Sequence, residues 1–89
     1  MNYHSRKFLN TKQGIAAIEC SADMSSKWCD INVKIADCNR AVSLDFDFSD
    51  MKGYKEKRKK LIILITELNK LRVMIDDTVA TPEFRKGMK

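Results

Sequence analysis

Glycine, proline and histidine are scarce here: three glycines, one proline and one histidine in 89 residues. Three glycines leave no Gly-x-Gly-x-x-Gly or Walker-type loop, so the sequence holds no backbone cradle for nucleotide phosphates. His4 is the only imidazole, and nucleophilic catalysis needs a nucleophile, a base and a group to orient the base. Cys20, Cys29 and Cys38 are odd in number and form no Cys-x-x-Cys pair. That pattern argues against a zinc site or a disulfide framework and for free thiols in a reducing compartment. No apolar run approaches the roughly 20 residues that span a bilayer, and the first ten residues lack the apolar core of a secretory signal. These absences predict a non-enzymatic, cytoplasmic protein with no cofactor, no metal and no membrane partner.

What is present is ordinary globular composition, 44% hydrophobic and 33% charged, enough for one domain over residues 1–80 with a basic tail at 81–89. Up to Phe48 the apolar period is two. Cys29, Ile31, Val33 and Ile35 alternate with Asp30, Asn32 and Lys34; Val42, Leu44, Phe46 and Phe48 alternate with Ser43, Asp45 and Asp47. Both segments read as half-buried strands. Residues 15–22 supply a third strand with Ala16, Ile18 and Cys20 on one face, and residues 5–10 a weaker first one. The expected fold is α+β: a four-stranded antiparallel meander in sequence order, with one long C-terminal helix packed on one face.

Loop positions fix the registers. A four-residue loop at 23–26 sets Cys20 opposite Cys29 and Ile18 opposite Ile31. One at 37–40 sets Ile35 opposite Val42, Val33 opposite Leu44 and Ile31 opposite Phe46. Both place apolar residues against apolar residues, and a one-residue slip would turn a whole strand inside out. The same registers gather acids on the outer face: Glu19 opposite Asp30, Asp30 opposite Asp47, and Asp45 opposite Asn32. Trp28 falls at the edge of that face. A solvated surface is the plain explanation; a docking surface for basic groups is the sharper one.

After Asp50 the period becomes helical. Asp50 can N-cap a helix, Gly53 leaves its start anywhere between Asp50 and Tyr54, and Pro82 is a stop, which predicts a helix to about Val79. Leu61, Leu64, Leu68, Leu71 and Ile75 step by three and four, a seam expected to lie on the sheet. Residues 61–65 are apolar all round, however, so Ile62, Ile65 and Val73 are left for a second seam against another copy, as in a homodimer. Just before them run six cations, Lys52, Lys55, Lys57, Arg58, Lys59 and Lys60, against the single acid Glu56. Their net charge of +5 equals that of the whole chain. On a helix successive residues point about 100° apart, so these cations form a collar and not a stripe. The tail after Pro82 reads as a partly ordered basic end with Phe84 folded back on the core.

Two functional classes follow. One is an interaction module that docks on a larger protein, with Glu19, Trp28, Asp30, Asp45 and Asp47 as first contacts and the basic collar second. The other is a nucleic-acid accessory protein that uses the collar. In size and make-up the chain is similar in general character to small phage- or mobile-element-encoded proteins that bind and inhibit host machinery, anti-CRISPR proteins among them. That resemblance implies an inhibitor acting in a host cell's cytoplasm.

Overall fold

The computed structural model describes residues 1–9, 16–37 and 40–88. Strands β1 (Asn2–Phe8), β2 (Ala17–Met24), β3 (Cys29–Asp37) and β4 (Arg40–Asp45) precede helices α1 (Met51–Val79) and α2 (Pro82–Gly87). The strands form one antiparallel sheet in the order β1-β2-β3-β4, so the fold is α+β. By its contacts the chain divides into two units, Met1–Lys59 and Lys60–Lys89.

In the first unit the β3–β4 register is the expected one: Ile35 pairs with Val42 and Val33 with Leu44. The Phe46 amide donates to the Ile31 carbonyl at 2.9 Å, and Cys29 bridges Phe48. Asp37 pairs with Arg40; Cys38 and Asn39, expected in the turn between them, lie outside the described residues. The inner-face positions supply most of the buried core. Phe46 is 3% exposed, and Cys29 and Val33 are 7% exposed, with Ala16 and Ala17 also buried.

The β2–β3 register differs from expectation by two residues along each strand. Met24, not Cys20, pairs with Cys29; Ala22 pairs with Ile31, Cys20 with Val33 and Ile18 with Ile35. The loop is residues 25–28 and not 23–26, and Ser25 is the reason. Its Oγ accepts the Trp28 amide at 3.1 Å and the Lys27 amide at 3.3 Å, and its hydroxyl donates to the Trp28 carbonyl. The Ser25 amide also donates to that carbonyl at 2.9 Å. A serine that closes the loop on itself outweighs the turn preference of Asp23, which is drawn into the strand. An even shift keeps every inward residue inward, so Met24 simply extends the apolar face.

β1 begins earlier than expected, because the N-terminus is tied down: the Met1 ammonium donates to the Met24 carbonyl at 2.9 Å. The Met24 amide returns a bond to the Met1 carbonyl at 2.8 Å. Asn10 and Ile15, expected in strands, lie outside the described residues.

α1 starts where Asp50 caps it. Asp50 Oδ1 accepts the Gly53 amide at 2.7 Å, satisfying one of the first-turn amides that have no partner within the helix. Gly53 suits this turn because a Cβ there would stand 3.0 Å from Asp50 Oδ1 and 3.1 Å from the Phe48 Cβ. Tyr54 in the same turn meets the Phe48 ring edge-on, centroids 5.5 Å apart.

In the second unit no residue of α1 or α2 is buried. The leucine seam, expected to be covered, is open: Leu61 is 38% exposed and Leu68 54%, with Leu71 and Ile75 between them, and Leu64 half-buried. Residues 61–65 are apolar around the whole circumference of the helix, so no single flat surface covers them all. The tail also differs from expectation. Pro82 ends α1 and then occupies the first turn of α2, where its missing amide costs nothing. Arg85 Nε donates to the Val79 carbonyl at 3.0 Å, and Phe84 is exposed and not tucked away.

Candidate docking surfaces

The outer face of the sheet is ordered in cross-strand rows. Asn2 pairs with Asp23 and Asp23 with Asp30; the β3–β4 register carried past Asp45 brings Asp47 next to Asp30. The row Asn2, Asp23, Asp30, Asp47 therefore crosses the sheet at one end. The next row is His4, Ser21, Asn32, Asp45. All of these except His4 line one open hollow of about 490 Å³, walled by Asp23, Asp30, Asp45, Asp47, Asn2 and Asn32 among others.

Two of the carboxylates are fixed by backbone donors. Asp47 Oδ1 accepts the Ile31 amide at 2.6 Å, standing in for a ladder carbonyl just beyond the end of β4. Asp45 Oδ1 accepts the Asp47 amide at 2.7 Å. These charge-assisted bonds hold the acids in place against their mutual repulsion, which for like charges directly opposite amounts to a few tenths of a kcal/mol, roughly. The carboxylates line the hollow without converging: among the described residues no group of three or more His, Cys, Asp or Glu side chains is placed to hold one metal ion.

Of the residues read from sequence, Asp30, Asp45 and Asp47 share this hollow, and Asp23 joins them. Glu19 does not. The true β2–β3 register sets it between Arg6 and Lys34, with His4 Nε2 at 3.6 Å from its carboxylate. Asp23 was missed because its turn propensity assigned it to the loop. The serine pair Ser25–Ser26 was the available signal, since a serine can accept the amides two and three residues on and so close the loop itself.

Trp28 lies in the loop and not on the strand face beside Asp30. It is 44% exposed and lines a separate, smaller hollow of about 150 Å³ with Phe48, Asp50 and Met51.

The collar occupies the first turns of α1. Lys52, Lys55, Arg58, Lys59 and Lys60 are exposed, and Lys57 is half-buried. Farther along, charges pair locally: Lys70 with Glu67 at 3.5 Å and Arg72 with Asp76 at 3.0 Å. Arg72 also donates to Asn69 Oδ1. Among the described residues no salt bridge is formed by Lys52, Lys55, Lys57, Arg58 or Lys59. Ile62, Ile65 and Val73, the second-seam candidates, are exposed, as are Ile63 and Met74 on the remaining side.

Among the described residues no helix is long and apolar enough to cross a membrane. Cys20 and Cys29 are free thiols, the first half-buried and the second buried. Comparison with protein families, with curated proteins and with solved structures finds no match for this chain.

Proposed function

We propose that this chain is a non-enzymatic binding protein that docks on a larger protein through the acidic end of its sheet. The partner on this reading presents lysine or arginine side chains. One observation carries it: Asp23, Asp30 and Asp47 stand side by side across the strands, with Asp45 adjoining, around one open hollow. Two of the four are pinned by backbone amides, so little ordering entropy is lost on binding. A fixed acidic concavity steers a basic surface to it and fixes register more than it adds affinity. Trp28, in its neighbouring hollow, is the apolar anchor such an interface favours. Stoichiometric inhibition of host machinery, in the manner of small phage-encoded proteins, requires nothing further. The protein works in the cytoplasm and as a homodimer through exposed residues of α1, for which Ile62, Ile65 and Val73 are the first candidates.

A second reading, nucleic-acid binding by the collar, is supported by the absence of salt bridges at Lys52, Lys55, Lys57, Arg58 and Lys59 among the described residues. Those cations sit at a helix N-terminus, where the macrodipole disfavours them unless an anion arrives.

Affinity capture from host lysate on the immobilised full chain separates the two. The docking reading expects a protein retained after nuclease treatment, retained by a Lys57→Glu, Arg58→Glu, Lys59→Glu variant, and lost with Asp30→Lys plus Asp47→Lys. Capture that disappears with nuclease and with the collar variant, but survives the aspartate changes, contradicts it and establishes the second reading.

A further inference from the structure

The open leucine seam of α1 has the pattern of a coiled-coil strip. With Leu61 at heptad position a, the a positions are Leu61, Leu68 and Ile75, and the d positions are Leu64 and Leu71. Five consecutive core positions are thus apolar, branched and unbroken, and none is buried. The stripe of Ile62, Ile65 and Val73 is different. Asn69, Arg72 and Asp76 fall within it at about 100° per residue, and they are tied together by the bonds from Arg72 to Asn69 and Asp76. A hydrogen-bonded charged cluster in mid-stripe makes it a poor dry seam.

We infer that the leucine seam takes a second copy of this chain, with the two α1 helices parallel and in register as a short two-stranded coiled coil. This deepens the self-association named above by assigning it a different seam, and it is independent of what the acidic hollow binds. The flanking positions choose the orientation. In a parallel pair each g residue meets the partner's e residue five positions on. Here Glu67 meets the partner's Arg72, Met74 meets the partner's Val79, and the Lys60 stem lies over the partner's Ile65. One of these pairs joins opposite charges and one joins apolar residues, and Lys60 lays its stem on an isoleucine with its ammonium in water. Turned antiparallel, with Leu68 against the partner's Leu71, Arg72 falls beside the partner's Ile65 and Glu67 beside the partner's Met74, so the opposite-charge pair across the interface is lost.

Glu67 and Arg72 already have local partners, Lys70 and Asp76. Those pairs are solvent-exposed and worth little, so exchanging or sharing them costs little. Parallel alignment also sets the two 52–60 runs side by side. Their repulsion opposes pairing and is screened beyond about 8 Å at physiological salt, and the seam begins only after it, at Leu61.

Analytical ultracentrifugation of the full chain tests the inference. The expected mass is about twice the 10.3 kDa of one chain. Leu68→Lys should weaken the dimer by roughly fifty-fold or more, and Ile62→Lys by less than roughly two-fold, since only the first lies in the seam. Glu67→Arg and Arg72→Glu, each alone, place like charges across the pair and should weaken their homodimers by roughly three- to ten-fold. Mixing these two variants should restore wild-type affinity in the heterodimer, because both pairs between positions 67 and 72 are then opposite in sign. Circular dichroism checks that the helix persists in each variant. A monomer at high micromolar concentration overturns self-association altogether. A dimer that Ile62→Lys disrupts, or whose variants show no preference for the mixed pair, overturns this seam and orientation and leaves self-association standing.

Discussion

The two units of this molecule treat the same kinds of side chain in opposite ways. Residues Met1–Lys59 carry alternating apolar positions and bury them to 3–7% exposure at Phe46, Cys29 and Val33. Residues Lys60–Lys89 are rich in leucine and isoleucine and bury none. A strand's side-chain period of two lets neighbouring strands line one face together, so four short strands pool their apolar positions on a common face. A helix carries its apolar residues on a cylinder, and residues 61–65 cover its full circumference. It satisfies itself only in backbone hydrogen bonds, and its side chains await another surface. The sheet is organised from within and the helix from without.

That contrast can be broken or sharpened by substitution, starting where the effect is greatest. Phe46→Ala removes the most buried large side chain and should cost about 3–5 kcal/mol, read as a drop in the urea midpoint at unchanged slope. Leu68→Ala, on an equally apolar residue, should cost under about 1 kcal/mol at nanomolar chain concentration, because little burial is lost. Its effect should grow as concentration rises. Equal losses at both sites and at all concentrations would erase the distinction. Asp50→Ala withdraws the oxygen that holds the Gly53 amide and should cost about 1 kcal/mol, seen as fraying at the start of α1. Arg72→Ala breaks an exposed i,i+4 pair and should change monomer stability by a few tenths of a kcal/mol at most, roughly.

The fold class, the strand order, the β3–β4 register and the end of α1 were legible in the sequence, and its start was narrowed to between Asp50 and Tyr54. Each rests on a local rule that acts alone: alternation through Phe46 and Phe48, an aspartate cap at Asp50, a proline stop at Pro82. The β2–β3 register was less legible because two turn formers competed. Asp23 and Ser25 both favour loops, and the choice depends on whether the serine hydroxyl can reach both Lys27 and Trp28, a matter of geometry and not composition. That two-residue shift redrew the outer face, moving Glu19 away from the acids and bringing Asp23 among them. Alternation did place Asp30, Asp45 and Asp47 together, since an even shift preserves which face a residue occupies. Trp28 was assigned to a strand face by its parity with Asp30, and parity means nothing once the residue is in a loop. The helical seam was read correctly as a stripe, but a stripe does not say what covers it.

Hydrogen exchange followed at several chain concentrations tests the central contrast most directly. Amides of β2 and β3 should show the same protection at low and high micromolar concentration, because the sheet owes its order to its own ladder and core. Amides of residues 61–75 should gain protection as concentration rises, because their seam is covered only when a second chain arrives. Protection of those helical amides that equals the sheet's and does not change with concentration would contradict the account.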